Sequence, residues 1–564
     1  MKKKVAALLI AAVMIIALCG CEDMEIGKPI EADPAAPSPS YAPQSEHIQL
    51  NGNTASYSGS GVTVRGNTVT VSAPGEYTVK GELTGGQIIV NIGEIPGKVT
   101  LILDGVTMTN DTEPCIFAEQ GKTIIALTDG SVNSITTGDP NSFTPASDAA
   151  TGGAIYGKDD LSVQGNGSLS VIGAVNNGIA SKNDLKINCG SLSVTAANNG
   201  LKGKDSVSID GGDISITALN DGIKATNIDR ADKGFVKVNG GSVSVTASGD
   251  GISASTGFEL NGGDVRIICG AAGSITSCKA VKAATGLDIT GGSLYATAYD
   301  HVLHCDADIN IAGGTLTLES LTAKGISAHG NINITDGAIS VSSRSDGIEA
   351  KKNMTVSGGS ISVSSDGDGF NVGSAGNNNG FATGEYGFTM NGGSVFISSG
   401  EDGIDSNGDL VINGGELVID GPTTGGDDAL DWSYEANKSG IINGGTVFAV
   451  HVPGMIQSIS ADSAQGFICA SLGGFAPAGS TVTIKDASGN VIYTGNCAKT
   501  FGYVIFSSAD VVKGEVYTVT AGSLSAEATA GVTIAGGDPK APGMGGPGNG
   551  QPPAGDPGGM PPRP

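Results

Sequence analysis

Oxygen-bearing side chains recur in pairs, three residues apart, in the second half of this chain. The pairs are Asp346 and Glu349, Asp368 and Asn371, Asp402 and Asp405, and Asp428 and Asp431. Carboxylates stacked a few ångströms apart repel by ~1–4 kcal/mol per close pair, depending on the dielectric, unless protons or cations neutralise them. Oxygen-only ligands suit Ca²⁺, which takes ~6–8 of them. We therefore predict calcium binding by these residues together with the neighbouring Asp366.

The pairs belong to a segment of about 22 residues that recurs along most of the chain. Units such as Asn177-Gly178, Asn199-Gly200 and Asp346-Gly347 each precede an Ile or Leu, and alternating runs such as Leu192-Ser193-Val194-Thr195 follow. Alternation with a period of two residues is typical of strands, and a repeat near 20 residues is typical of a solenoid. Without a helical apolar stripe, the repeat predicts an all-β fold, a parallel β-helix whose coils lie ~4.8 Å apart.

Aligning the repeats on this unit gives two rows of side chains. The first row reads Asn177, Asn199, Asp221, Asp250, Lys279, Asp300, Lys324, Asp346, Asp368, Asp402 and Asp428. The second row, three positions later, reads Ala180, Lys202, Lys224, Ser253, Lys282, Leu303, Ser327, Glu349, Asn371, Asp405 and Asp431. Turn formation by Asn-Gly and Asp-Gly explains the first row in the early coils. It explains the second row poorly, because lysines there give way to oxygen ligands.

The bulk composition excludes some functions. A net charge of −26 argues against a nucleic acid partner, whose phosphates would be repelled, and is compatible with a cation-binding surface. Seven cysteines beyond residue 21 show no CxxC spacing and are expected to be buried free thiols, with a Cys269–Cys278 disulfide left open. No histidine cluster is evident, and His301 and His304 read as ordinary turn or surface residues.

The chain ends differ in composition from the repeats. Lys2 to Lys4, the apolar stretch to Leu18 and the lipobox-like Leu18-Cys19-Gly20-Cys21 predict an exported lipoprotein lipidated at Cys21. The predicted segments are a signal peptide (1–21), a Pro/Ala/Ser-rich linker (22–46), an N-terminal cap with the first coils (47–152), the regular β-helix (153–453), a C-terminal β cap or small β-sandwich (454–535) and a disordered Gly/Pro-rich tail (536–564).

Several segments together resemble the bacterial carbohydrate-binding domain family built on a pectate-lyase-like β-helix. They are Val99 to Gly105, Asp159-Asp160-Leu161, Ser345 to Ala350, Ser365 to Asn371, Gly400 to Gly408, Gly421-Pro422 and Leu430-Asp431, so the resemblance covers roughly residues 47 to 530. It implies a right-handed, calcium-containing β-helix that binds cellulose or acidic sugars. The chain departs from the family at Asp300-His301-Val302 and Lys324-Gly325-Ile326, which puts ligation by those coils in doubt.

Three functions remain open. A non-catalytic, monomeric polysaccharide binder is favoured, with Trp432 and Tyr434 as candidates for stacking on a sugar ring and Lys202 and Lys224 for contacts to a glycan. A calcium-dependent polyuronate lyase would need a base, for which Lys351, Lys352, Lys282 and Lys224 are conceivable, but no arginine cluster is present to bind carboxylates. A purely structural surface or adhesion protein would show neither metal dependence nor glycan affinity.

Overall fold

A computed structural model describes residues 38–42, 47–143, 152–270, 278–373, 386–433, 437–454 and 456–532. Within these ranges the chain is all-β, as predicted, and contains no helix. Accordingly, no helix of the described part has the length and apolar character needed to cross a membrane. The predicted leader with Cys21, most of the linker, Tyr434 and the tail from 536 lie outside the described residues.

The strands of the first half are short or of intermediate length. Up to residue 143 they are β1 His47–Gly52, β2 Ala55–Ser56, β3 Val62–Arg65, β4 Thr68–Val71, β5 Gly75–Thr84, β6 Gln87–Asn91, β7 Lys98–Asn110, β8 Ile116–Gln120, β9 Lys122–Leu127 and β10 Val132–Thr137. Between 152 and 270 they are β11 Gly153–Gly157, β12 Leu161–Gly173, β13 Asn177–Ser181, β14 Asp184–Ala196, β15 Leu201–Gly203, β16 Ser206–Ala218, β17 Ile223–Ala225, β18 Phe235–Val238, β19 Ser242–Ala247, β20 Ile252–Ala254, β21 Gly257–Leu260 and β22 Asp264–Cys269.

The second half continues the same alternation of very short and longer strands. Between 278 and 373 the strands are β23 Val281–Ala283, β24 Gly286–Ile289, β25 Ser293–Ala298, β26 Leu303–Cys305, β27 Ile309–Ser320, β28 Ile326–Ala328, β29 Ile332–Ser343, β30 Ile348–Ala350, β31 Asn353–Val356, β32 Ser360–Ser365 and β33 Phe370–Val372. Beyond 386 they are β34 Gly387–Met390, β35 Ser394–Ser399, β36 Ile404–Ser406, β37 Asp409–Ile412, β38 Glu416–Asp420, β39 Leu430–Trp432, β40 Gly440–Ile442, β41 Thr446–His451, β42 Phe467–Ala476, β43 Thr481–Lys485, β44 Val491–Asn496, β45 Phe501–Ser507, β46 Val516–Ala521 and β47 Leu524–Thr529.

Two long sheets contain most of these strands. A broad sheet of 27 strands takes the longer segments, and a narrow sheet of 16 strands takes β3, β4, β6, β8 and then the short strands from β11 to β39. Each repeat passes once through both sheets, and we call one such pass a rung. Neighbouring rungs pair in parallel with the sequence offset that the repeat predicts: Ile179 is the partner of Leu201, 22 residues later. The prediction of many parallel strands is therefore confirmed.

Identical kinds of side chain stack from rung to rung in the core. In the broad sheet Val194 pairs with Ile216, and Ile216 with Val245, all about 1 % exposed. The glycine of each Asn/Asp-Gly unit faces this ladder, since a Cβ on Gly178 would lie 2.2 Å from Val194 Cγ1 and 2.8 Å from the Gly200 carbonyl oxygen. These glycines are therefore required by close packing between the sheets. The Gly-Gly turns have a different cause, a left-handed backbone, with φ of 82° at Gly359.

The region predicted as a C-terminal cap folds as antiparallel β-structure. Strand β45 pairs antiparallel with both β41 and β42, which changes the direction of pairing at this edge of the broad sheet. Strands β44, β43, β46 and β47 form a separate four-stranded antiparallel sheet with its own apolar cluster. Lys499 Nζ donates to the carbonyl oxygen of Asp420 at 3.3 Å and so bonds this region to the last rungs.

Two smaller predictions concern the cysteines and the linker. The cysteines at 115, 189, 269, 278, 305, 469 and 497 are buried, as expected, and no disulfide joins Cys269 to Cys278. Part of the predicted linker is not a detached spacer. Ser38 Oγ donates to Asn188 Oδ1 at 2.9 Å and Ser40 Oγ to Asp129 Oδ2 at 2.6 Å, so residues 38–42 lie against the repeats.

Candidate functional site

The middle residue of each short strand in the narrow sheet points away from the core. In β33 the flanking Phe370 and Val372 are fully buried, whereas Asn371 is half-buried. Parallel pairing aligns these middle residues into one continuous row, and we keep the name second row for it. In chain order the row reads Phe117, Tyr156, Ala180, Lys202, Lys224, Ser253, Lys282, His304, Ser327, Glu349, Asn371, Asp405 and Asp431. At ~4.8 Å per rung it extends over roughly 60 Å.

The register corrects the predicted rows at one rung. Lys282 pairs with His304, and His304 with Ser327, so His304 occupies the second row. Leu303, predicted there, is fully buried in the core. Three residues before His304, in the same rung, the His301 carbonyl oxygen accepts a hydrogen bond from the Ala280 amide, which puts His301 in the first row in place of Asp300. Asp300 instead forms an ion pair with Lys279 at 2.8 Å.

The first row has a structural role that recurs along the fold. A side-chain oxygen in this row accepts a hydrogen bond from the backbone amide of the first-row residue in the next rung. Asn177 Oδ1 accepts from the Asn199 amide at 3.1 Å, and Asp368 Oδ1 accepts from the Asp402 amide at 3.0 Å. Asp402 Oδ1 accepts in turn from the Asp428 amide at 2.5 Å. The preference for Asn or Asp in the first row is therefore explained by hydrogen bonding between rungs.

Lysines neutralise the rung of Asp346 and Glu349. Lys324 Nζ lies 3.0 Å from Asp346 Oδ2 and also pairs with Glu349, which pairs with Lys351 and accepts a hydrogen bond from Ser327 Oγ at 3.1 Å. Burial alone would raise the pKa of Glu349, but Lys324 and Lys351 lower it overall. These ion pairs compete with the calcium-binding role predicted for Asp346 and Glu349.

The next rungs carry carboxylates without such compensation. Among the described residues, no Lys or Arg forms an ion pair with Asp368, Asp402 or Asp405. Burial raises the pKa of Asp368 to about 8, with Asp346 and Asp405 adding to the shift. Burial likewise raises the pKa of Asp402 to about 9 and that of Asp405 to about 7, and in both cases the charge of Asp431 adds to it. We call Asp368, Asn371, Asp402, Asp405, Asp428 and Asp431 the acidic segment.

The acidic segment ends against the C-terminal region. Gln457 donates through its backbone amide to Asp428 Oδ2 at 3.3 Å and through its side chain to Asp431 Oδ1. Burial raises the pKa of Asp428 to about 8 and lowers that of His451 to about 4, although His451 Nε2 lies only 3.0 Å from Asp428 Oδ1. Burial thus disfavours the charged form of both groups.

The acidic segment offers oxygen donors suited to a hard cation. Asn371 Nδ2 donates to Asp368 Oδ2 at 2.8 Å, so the amide is tied to a carboxylate in its own rung. No three carboxylates of the described residues bring oxygens within 4.8 Å of one another. An ion here would therefore take one or two carboxylates, with amide, backbone and water oxygens completing the ~6–8 that Ca²⁺ accepts.

Other predicted site residues lie apart from the acidic segment. Asp366 is exposed and pairs with Arg344 at 3.2 Å. Trp432 was predicted to stack on sugar, but it is 3 % exposed and belongs to the core. Its position explains the error, because a residue adjacent to the outward-facing Asp431 must face inward in a strand.

The two predicted glycan-binding lysines, Lys202 and Lys224, do lie on the second row, and Lys224 forms an ion pair with Asp221 at 2.8 Å.

An aromatic pair at the start of the second row escaped the sequence analysis. The rings of Phe117 and Tyr156 stack with centroids 5.6 Å apart and an interplanar angle of 7°. Both line a pocket of about 410 Å³, together with Pro114 and Asn176. The signal was present, because Gly153-Ala154-Ile155-Tyr156 repeats the order of two small residues, Ile and an outward side chain.

The chain matches the family model for "Carbohydrate-binding domain-containing protein" over residues 65–321 and 313–541, and it belongs to that family.

A relative of the same description from Acetivibrio thermocellus is 39 % identical over 137 residues, which are 24 % of this chain and 48 % of the relative. This chain thus spans about half the length of that protein. A solved structure, the polysaccharide lyase-like protein from C. thermocellum as a gadolinium derivative, is 36 % identical, with a TM-score of 0.39 and coverage of 43 % of this chain and 96 % of that chain.

Proposed function

We propose that this protein binds polysaccharide, cellulose or an acidic glycan, through calcium ions held by the acidic segment, and that it does not cleave the polymer. The observation that carries the proposal is the uncompensated group of Asp368, Asp402 and Asp405 on adjacent rungs, whose pKa values are all raised. Membership of the carbohydrate-binding domain family supplies the class of ligand.

The shape of the binding surface follows from the ladders. We propose that the rungs wind as a right-handed parallel β-helix, with the handedness taken from the family resemblance and the winding supported by the parallel register of Asn371 with Asp405 and of Asp405 with Asp431. A straight row of roughly 60 Å suits an extended polymer better than a small molecule. The polymer would then contact several rungs at once, which adds weak contacts into useful affinity.

Calcium has two effects in this proposal. It replaces the protons of the raised-pKa carboxyls, and its remaining coordination positions accept hydroxyl or carboxylate oxygens of the glycan. Without the metal, a protein of net charge −26 repels an acidic polysaccharide. Calcium-dependent retention is therefore expected to be strongest for polymers that carry carboxylates.

The lysines nearest to the acidic segment favour binding over elimination chemistry. A lyase base must accept a proton, so it must be present in its neutral form. Lys324 and Lys351 instead form ion pairs with Glu349, and the pKa of Lys324 is raised by Glu349 and Asp346 despite the opposing effect of burial. The Lys324 amine is therefore held as an ammonium ion, which cannot act as the base.

The location of the protein is proposed from the sequence alone. A lipid on Cys21 would tether a monomer outside the cytoplasmic membrane, where calcium and polysaccharide are accessible. The test is metabolic labelling with a fatty acid, for which Cys21→Ser should abolish incorporation. Labelling that persists in the Cys21→Ser variant would overturn the anchor.

The binding proposal is tested by affinity electrophoresis of the purified protein on polygalacturonate and on cellulose, with Ca²⁺ and with a chelator. Retention that needs Ca²⁺, without ultraviolet-absorbing unsaturated product, is the expected result. The double variant Asp402→Asn/Asp405→Asn should lose it, whereas the matched control Asp366→Asn, outside the acidic segment, should keep it. Formation of unsaturated product would show that the protein is a lyase. Absence of retention on both polymers would overturn the proposal.

A further inference from the structure

Three of the five histidines gather at one place in the fold, and the calcium proposal uses none of them. His304 Nε2 lies 3.3 Å from Asp306 Oδ1, and His329 Nδ1 lies 3.3 Å from the same oxygen. Among the described residues, His304, Asp306 and His329 form the one group in which three potential metal ligands come within 4.8 Å of one another. The rings of His301 and His304 stack beside it, with centroids 5.4 Å apart.

The register of the narrow sheet creates this group. His304 and Asp306 flank Cys305, which is buried, so alternation directs both of them outward. The next rung aligns Ala328 with Cys305, and the His329 amide donates to the Cys305 carbonyl oxygen at 2.9 Å. His329 therefore sits beside Asp306 across the rung boundary, one residue after β28. Backbone pairing, and not a flexible loop, sets the spacing of the three side chains.

The distances match those of a tetrahedral metal site. Zinc lies ~2.0–2.1 Å from histidine nitrogen and ~2.0–2.2 Å from carboxylate oxygen. Two ligand atoms of a tetrahedron with such bonds are separated by about 3.3–3.5 Å. Both nitrogen-to-oxygen distances to Asp306 are 3.3 Å, so a metal ion could be coordinated with little movement of these pairs.

The surroundings of His304 favour its neutral imidazole, the form that binds metals. His304 is 8 % exposed, and burial, followed by the charges of Lys279 and His301, lowers its pKa to about 4. His329 is about half exposed, which leaves a side of the group open to solvent. Asp306 supplies the negative charge that a divalent ion needs. This charge opposes the positive charge of Lys279 in the adjacent rung.

We propose that His304 Nε2, Asp306 Oδ1 and His329 Nδ1 form a binding site for a divalent transition metal of the zinc type. Its fourth position opens to solvent and can accept water or a glycan oxygen. His304 lies three rungs from Asn371 on the second row, about 14 Å at ~4.8 Å per rung. The site therefore shares no ligand with the acidic segment, and two chemically different ions would bind along one surface.

The test is titration of the full, chelator-treated protein with Zn²⁺ by calorimetry in the presence of excess Ca²⁺, and with Co²⁺ followed by its visible spectrum. One tight Zn²⁺ equivalent and a tetrahedral Co²⁺ spectrum without thiolate bands are expected. His329→Ala and Asp306→Asn should each weaken Zn²⁺ at least about tenfold. His47→Ala, which removes a histidine distant in sequence, should leave the affinity unchanged.

Because His329 is half exposed, its removal should not unfold the protein, and circular dichroism of the variant checks this. The proposal is overturned if Zn²⁺ does not bind, if excess Ca²⁺ displaces it, or if His47→Ala weakens it as much as His329→Ala does. Glycan retention in Ca²⁺ is unaffected by either result, so the two proposals fail separately.

Discussion

Calcium binding to the acidic segment should release protons at neutral pH. Asp368, Asp402 and Asp405 have pKa values of about 8, about 9 and about 7, because burial and neighbouring carboxylates disfavour their charged forms. Calcium ions that each take one or two of these carboxylates need all three groups ionised. Adding Ca²⁺ to the chelated protein at pH 7 is therefore a direct perturbation of their protonation.

The magnitude follows from the pKa values. At pH 7 the Asp368 carboxyl is about nine-tenths protonated, Asp402 is almost fully protonated and Asp405 is about half protonated. Complete ionisation of the three would release about 2.4 protons. The affinity for Ca²⁺ should then rise about 250-fold from pH 6.5 to pH 7.5, since each proton released contributes about tenfold per pH unit.

The assay is calorimetry of Ca²⁺ binding in buffers that differ in ionisation enthalpy, because the difference in observed heat counts the protons. Asp405→Asn should lower the count by about half a proton, in line with the protonated fraction of Asp405 at pH 7. Asp366→Asn, whose carboxylate pairs with Arg344 at the surface, should leave it unchanged. A proton count of zero, together with an affinity that does not change with pH, would refute the reasoning.

Three further predictions follow from the same packing and charges. Chelated protein should lose thermal stability as the pH rises from about 5 to about 9, because folded Asp368 and Asp402 keep protons that an unfolded Asp, with a pKa near 3.8, has already lost. Adding Ca²⁺ should restore the lost stability. A thermal stability that does not change with pH would contradict the raised pKa values. Gly369→Ala should cost at least about 1–3 kcal/mol in chemical denaturation, because the new Cβ would lie 2.2 Å from Ile397 Cγ2, whereas Gly426→Ala meets nothing within 4 Å and should be neutral. Trp432→Ala should cost about 3–5 kcal/mol of stability, while Trp432→Phe should still be retained on polysaccharide; loss of retention by a stable Phe variant would restore a direct role for the indole.

The rungs were predictable because their cause is local and repeats. Alternation such as Val194 between Ser193 and Thr195 determines which face is buried, and the offset of 22 residues determines the partner in the next rung. The second row followed from the same offset. Its error at His304 arose because the aspartate at 300 was preferred by residue type, although 22 residues after Lys282 comes His304. Spacing was the better guide, because the rung length is set by the backbone.

The charge balance of the site was not predictable from the repeat. Lys324 belongs to the first row of one rung, yet its long side chain reaches Glu349 on the second row of the next. Aligning the repeats assigns such residues to rungs but does not give the reach or direction of a flexible side chain. The histidine group has the same origin, because Asp306 and His329 lie beyond the aligned positions and meet only across the rung boundary.

The two rows differ in how freely their residues can vary. In the first row, oxygens such as Asp368 Oδ1 and Asp402 Oδ1 are engaged by backbone amides of the next rung, so replacing them leaves a buried donor unsatisfied at about 1–3 kcal/mol. The backbone makes no such demand at the second row, where aromatic, basic, histidine and acidic residues succeed one another. Several second-row side chains are buried, such as Ser327 at 2 % and Glu349 at 3 % exposure. Lys202, Asn371 and Asp405 are partly exposed, so at these positions the second row can contact the polysaccharide that we propose as the ligand.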